Sequence, residues 1–405
     1  MGLARARYRW LIALLIILVI VFGWPEKLRR APQAGGDPRE NAESHPPGEG
    51  QAVSTGTEEP EKTAAGSGDD SSPAGEVPLL PAPEPLMRFQ LPTANGGLFS
   101  GDPAAFFMFV DRYTPQGQIQ VWEGGSYGFV RNPRDTPQGT VYTKFHEGID
   151  IAPVERDARG EPLDSVHAIA DGLVAYATAS ARTSNYGNYV VVRHTIGGAG
   201  DFYSLYAHLS RIDAVPGTPI KRGDPVGRMG HTGDGIDRRR SHTHLELGLI
   251  LSERFEEYYG LNYKLANGHG IFHGTNLIGL DVASFLAANH KDPMLMPDAF
   301  LRGQEVYYKV TVPNRGHEIE IAASHPWMRQ GGVAGVSWEI SFTNAGVPVA
   351  VSPSAQAVSF PVVSWVKPFA GYHSWNTRSI LGGSGSNATL TNDGGRFIQL
   401  VAGDF

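Results

Sequence analysis

Between Tyr142 and Ile250 the apolar residues come in short runs, each cut off by Gly, Asp or Pro. The stretches DSVHAIADGLVAYATA, NYGNYVVVRHT, DFYSLYAHLS, DPVGRMGHTGD and THLELGLI read as strands or strand-turn units, and helical periodicity is scarce among them. Punctuation this frequent leaves a β-sheet as the main way to bury the apolar residues. From about Leu251 to His290 the spacing changes: SERFEEYYGLNYKL and DVASFLAANH read as helices, the second with Asp281 as N-cap. From about Glu305 the segments EVYYKVTVP, HEIEIAA, SWEISFTN, VSFPVVSWV and RFIQLVAG read as β again, which predicts a small sandwich or barrel over the last roughly 100 residues. The fold class expected is mainly β with a partly helical extension in the middle.

The first 87 residues have a different character. Trp10 to Trp24 is apolar apart from Gly23. Its fifteen residues would span about 22 Å as a helix, against a hydrocarbon core of ~30 Å. The length also suits a cleaved signal peptide, but Trp24-Pro25-Glu26-Lys27 offers no small-x-small cleavage site. Residues 1–30 are therefore expected to be a transmembrane signal-anchor, with Trp10 and Trp24 at the two interfaces. That would make the protein single-pass in the inner (cytoplasmic) membrane, its folded part extracytoplasmic, in the periplasm. Residues 31–87 hold eleven acids against Arg39 and Lys62 and almost no large apolar residue before Leu79, a composition expected of a disordered linker. With a net charge of -7 for the whole chain, the remainder sums to only +2, so no large basic field points to nucleic acid. The 405-residue chain has no cysteine, so a metal site must draw on His, Asp, Glu or backbone oxygen.

Candidate ligands exist. His242 and His244 in RRRSHTHLELGL stand two apart at the head of an alternating run, and residues i and i+2 of a strand share a face. In FHEGIDIA, His146 and Asp150 flank Gly148, and the β-branched Ile149 and Ile151 argue for a turn entering a strand rather than a helix. LYAHLS ends an apolar strand on His208.

These motifs, in this order, resemble the lysostaphin-type, or LytM-like, zinc metallopeptidases of the bacterial cell wall, over roughly Ser126 to Ile250. HEGIDIA matches the family's His-x-x-x-Asp motif, LYAHLS its Tyr-x-His-Leu segment and HTHLEL its His-x-His strand. HAIADGLVAYA, YGNYVVVRH and IKRGDPVGRMGHTG resemble its scaffold. The resemblance implies that His146, Asp150 and His244 hold Zn2+ and that His208 and His242 are catalytic, with His242 placed as general base and His208 assisting. Which of these two moves which proton stays open. Tyr142, Tyr206 and Arg239 are candidate substrate contacts, Tyr206 because parity puts it on the same strand face as His208; the alternatives are packing for Tyr206, a surface or packing role for Tyr142, and a solvated loop for Arg238–Arg240. His269 and His273 in GHGIFHG have ligand-like spacing, but the glycines around them undermine a helical pair.

The activity implied is hydrolysis of peptide bonds in peptidoglycan by a membrane-anchored zinc endopeptidase, its partners being peptidoglycan peptide stems and the membrane. The alternative is a non-catalytic regulator of another wall hydrolase. The organisation expected is residues 88–300 as the LytM-like domain with its helical extension and residues 301–405 as a C-terminal β domain. That last domain lies outside the resemblance; wall polymer, a protein partner and the groove itself are the surfaces it could cover.

Overall fold

The strand Thr243–Ile250 is buried along its whole length, polar residues included, and the rest of the molecule is arranged around it. The computed structural model describes residues 84–180, 184–333 and 335–405. In chain order the elements that position the site are a hairpin of β1 (Gly128–Thr136) and β2 (Gly139–His146), then β3 (Ile149–Ile151), β4 (Gly172–Thr178), β5 (Tyr189–Ile196), β6 (Gly200–Ala207), β7 (Pro219–Ile220), β8 (Thr243–Ile250) and β9 (Leu277–Gly279). Strands β3 to β9 form one seven-stranded antiparallel sheet in the order β7-β4-β5-β6-β8-β9, with β3 pairing the start of β8.

The alternation expected of these strands sorts their side chains onto two faces. Val190, Val192, Phe202, Tyr206, Leu245, Leu247 and Leu249 enter the main core. Tyr189, Val191, Tyr203, Leu205 and Ala207 enter a smaller cluster on the other face, closed by Phe272 and Leu277. The helix expected in DVASFLAANH runs Val282–Lys291, and the Asp281 carboxylate accepts from Ser284 N at its start. A second helix, Phe255–Asn262, occupies the other predicted stretch.

Residues beyond 300 form a four-stranded antiparallel sheet, ordered Pro348–Ser354, Ser337–Phe342, Tyr308–Pro313, Val362–Val366, and a separate three-stranded sheet. Neither closes into a barrel. Their apolar side chains, such as Tyr308, Val310 and Phe342, belong to the same continuous core as Ile149 and Leu245. RFIQLVAG, read above as a strand, is instead the end of a helix, Asn392–Ala402. Its caps decide the matter: Thr391 accepts from Gly394 N, and Gly403 at φ 75° closes the last turn with its N–H on Gln399 and Leu400 carbonyls. HEIEIAA likewise contributes a short helix, Glu320–Ser324, not a strand.

The localisation expected above is corrected. Among the described residues no helix is long and apolar enough to cross a membrane. The stretch Trp10–Trp24 and the linker 31–87 up to residue 83 lie outside the described residues.

Candidate metal centre

Register brings the ligands together. His244 on β8 stands directly opposite Asp150 on β3 and, on its other side, opposite Ala207 at the end of β6. His146 ends β2, one tight turn before β3. That turn needs Gly148: a Cβ there would lie 2.3 Å from Leu245 O and 3.0 Å from His244 Nε2. His208 follows Ala207 with φ at +63°, which turns its side chain out of the strand's alternation. Two glycines let its loop neighbours approach: a Cβ on Gly187 would meet Thr232 backbone at 2.4 Å, and one on Gly233 would meet Asn185 O at 2.2 Å.

His146 Nε2 lies 3.1 Å from Asp150 Oδ1, His244 Nδ1 lies 2.9 Å from the same oxygen, and the two imidazole nitrogens are 3.2 Å apart. A tetrahedral zinc with bonds of about 2.0–2.1 Å has ligand–ligand edges of roughly 3.3 Å, so this triangle has the right size. All three residues are buried.

Acceptors behind the rings settle which nitrogens are free. A carbonyl only accepts, so Nδ1 carries the proton where it meets one: His146 donates to Ser126 O at 2.8 Å, His208 to Thr232 O at 2.9 Å, and His242 to Arg240 O at 2.6 Å. His244 is reversed. Its Nε2 donates to Glu246 Oε1 at 2.9 Å, leaving Nδ1 for the centre. Tyr186 O–H also donates to Glu246 Oε1, at 2.7 Å, and Arg131 holds the outer oxygen of Asp150 at 2.6 Å.

The electrostatics favour a cation. Burial alone would raise the Asp150 carboxyl, but His146 and His242 outweigh it and hold it well below the usual carboxylate range. Burial would lower His244, yet the carboxylates of Asp150 and Glu246 push it up to about 10. Positive charge is therefore stabilised at the position where His244 Nδ1 faces Asp150. Burial moves His146 down, and burial together with His242 and His244 holds His208 well below its ordinary value. The His208 and His242 rings are 4.7 Å apart at their centroids.

The centre opens on a cleft of about 530 Å³. All five residues expected to be ligands or catalytic groups line it; Tyr142, Tyr206 and Arg239 do not. Tyr206 is fully buried on the opposite face of the sheet, its hydroxyl accepting from Ile169 N at 2.8 Å. Parity with His208 fails because the left-handed His208 is no longer in the strand. The Tyr142 hydroxyl accepts from Arg112 at 3.3 Å, under that guanidinium. Arg239 pairs with Asp111 over the Phe109 ring, and its neighbour Arg240 faces the cleft instead. Glu246, Tyr186 and Arg131 were not anticipated. Glu246 had a signal, since it is two residues from His244 on the same strand and so shares its face.

Fold and site define a mononuclear metal centre with two His and one Asp donor on an antiparallel sheet. Residues 144–254 match the model of peptidase family M23, which bears out the LytM/lysostaphin resemblance over that segment. Similar solved structures include a protein described as peptidase M23 from Pseudomonas aeruginosa (28% identity, 25% of this chain and 37% of that one, TM-score 0.20). Others are the catalytic domain of lysostaphin from Staphylococcus simulans (23%, 30% and 76%, 0.21) and a zinc-containing peptidase from Vibrio cholerae (21%, 34% and 43%, 0.20). This chain thus spans little more than a third of the first of these proteins. Zinc is the cofactor of the family, and the size, burial and donor chemistry of the His146-Asp150-His244 triangle fit it.

Proposed function

We propose that the protein is a zinc-dependent endopeptidase that hydrolyses peptide bonds in bacterial peptidoglycan. His146 Nε2, Asp150 Oδ1 and His244 Nδ1 would hold the ion. Bound there, zinc supplies a Lewis acid for a peptide carbonyl and lowers the pKa of water. The remaining work falls to the chain's own groups. With Nδ1 committed to Arg240 O, His242 offers its Nε2, 3.2 Å from Asp150 Oδ1, as acceptor for a proton of the attacking water. His208, fixed in the same tautomer by Thr232 O, stands beside it to share that proton and steady the developing oxyanion once protonated. Hydroxide adds to the carbonyl carbon, the C–N bond breaks, and the proton goes to the leaving nitrogen.

The observation that carries this reading is the set of acceptors behind the four imidazoles, which turns every free ring nitrogen toward one place. The wall substrate rests on the family match and the open cleft. Incubation of the zinc-loaded chain with purified peptidoglycan should release fragments bearing new amino termini, detected by mass spectrometry. His242→Ala should keep the zinc and release none. Zinc retention with no fragments from the unaltered chain would defeat the proposal in favour of a regulatory role.

A further inference from the structure

One wall of the cleft is made by His269, His273 and Gly274, which lie beyond residue 254 and so outside the segment matching the family. Their loop is firmly built. Fully buried Asn276 accepts from Ser252 N and donates to the carbonyls of Ser252 and Ile271. Asn267 accepts from His269 N at 3.0 Å and donates to Gly270 O at 2.9 Å, while Phe272 anchors the loop in the smaller core. The His273 ring packs on Phe255 and Tyr259, with centroids 5.5 and 5.4 Å away.

These contacts set the chemistry that His273 offers. Its Nδ1 accepts from Thr275 N at 3.1 Å, so the proton of the neutral ring sits on Nε2. Burial lowers the pKa of both His269 and His273, favouring the neutral rings. Nε2 of His273 has no partner among the described residues and belongs to a side chain lining the cleft. The His269 ring is held by Tyr189, whose hydroxyl is 2.7 Å from Nδ1. A fixed N–H donor beside an aromatic floor suits a peptide carbonyl, a neutral acceptor on a flat group.

We propose that the His269–His273 loop is a specificity subsite that receives a backbone carbonyl of the extended substrate, with His273 Nε2–H as the donor. Tyr186 links it to the centre through ring separations of 5.9 Å to His244 and 6.4 Å to His269. His269 in turn lies 5.8 Å from His273, and an extended peptide advances about 3.3 Å per residue, so the contact falls within about five residues of the bond to be cleaved. The loop thereby selects for substrate length on one side. This rests on the peptidase reading given above.

The test compares two soluble peptidoglycan fragments, one with complete peptide stems and one with stems shortened by two residues, using the full zinc-loaded chain. His273→Phe keeps the ring on Phe255 and Tyr259 but removes the donor. It should raise KM for the complete fragment about five- to tenfold more than for the shortened one, the usual worth of one hydrogen bond. His273→Gln, which restores an N–H, should recover part of that difference. Equal effects on both fragments, or no change in KM, would overturn the subsite. Titration calorimetry with the same fragments covers the case in which the unaltered chain cleaves neither. A length-dependent loss of binding in His273→Phe would uphold the subsite while the peptidase reading fell; binding insensitive to His273→Phe, or absent altogether, would remove it.

Discussion

His244 and Glu246 face the same side of one strand, and the 2.9 Å hydrogen bond from His244 Nε2 to Glu246 Oε1 turns the opposite ring nitrogen toward Asp150. Glu246 is fully buried, and its second oxygen, Oε2, has no hydrogen-bond partner among the described residues. A buried carboxylate oxygen left unpaired is costly, so the residue earns its place through the centre rather than through the stability of the fold.

Glu246→Ala should therefore weaken zinc binding about 10- to 100-fold, the usual worth of such outer contacts. Tyr186→Phe, which removes only the second donor to Oε1, should cost less. Competition against a chelator of known affinity measures both. An Ala variant that binds zinc as tightly as the parent would show that the His244 ring is oriented by something else.

Gly148→Ala should disable the centre through the backbone. The added Cβ would meet Leu245 O at 2.3 Å and His244 Nε2 at 3.0 Å, and the carbonyl belongs to β8, which is paired on both sides there and cannot swing away. A loss of at least about 2 kcal/mol in unfolding free energy is expected, as for overpacking at a site that cannot relax, together with weaker zinc binding. Denaturant titration and zinc content check the two parts separately.

Much of this centre was legible in the sequence because its residue types sit at spacings with one geometric meaning. His-x-His on an alternating run puts both rings on one face, and Gly148 between His146 and Asp150 announces a turn. Contacts between distant parts of the chain carry no such pattern: nothing local links Arg131 to Asp150, or the His269 loop to the cleft. Tyr206 was misplaced because strand parity was extended through His208, whose left-handed backbone ends the alternation. RFIQLVAG was misread because its apolar residues satisfy a strand as readily as a helix face. The deciding information lay in the capping residues Thr391 and Gly403 on either side. Within the last hundred residues, the strands at Tyr308–Pro313 and Ser337–Phe342 were legible, but not that their core would be continuous with that of the metal-bearing sheet.

His194 provides a pH dependence independent of the metal. It is fully buried, donates from Nδ1 to Asp171 O and meets Ser204 Oγ at Nε2, and burial lowers its pKa to about 4. An unfolded histidine titrates near 6.5. Between these values the unfolded chain binds the proton and the folded one does not. The stability associated with the neutral ring is thus present above pH 6.5 and lost as pH falls toward 4, on the order of 3 kcal/mol in all. His194→Gln should lower the slope of unfolding free energy against pH in that window by about one proton. An unchanged slope would mean that His194 is protonated, or reaches solvent, in the folded state.

His208 and His242 should separate from the zinc ligands in a simple pair of measurements. Neither belongs to the triangle that fits the ion, and their rings touch edge to face at 4.7 Å. His208→Asn is the preferred variant, because asparagine tolerates the positive φ of 63° at that position better than alanine does. It should retain zinc and lose about 10²- to 10⁴-fold in kcat on peptidoglycan fragments, the range for a general acid or base. His242→Ala should behave alike. If the two rings handle one proton in turn, the double variant should be scarcely slower than the worse single one, since groups acting as a unit are not additive. Losses that multiply would assign the two histidines to separate steps, and loss of zinc from either variant would place that ring in the coordination set.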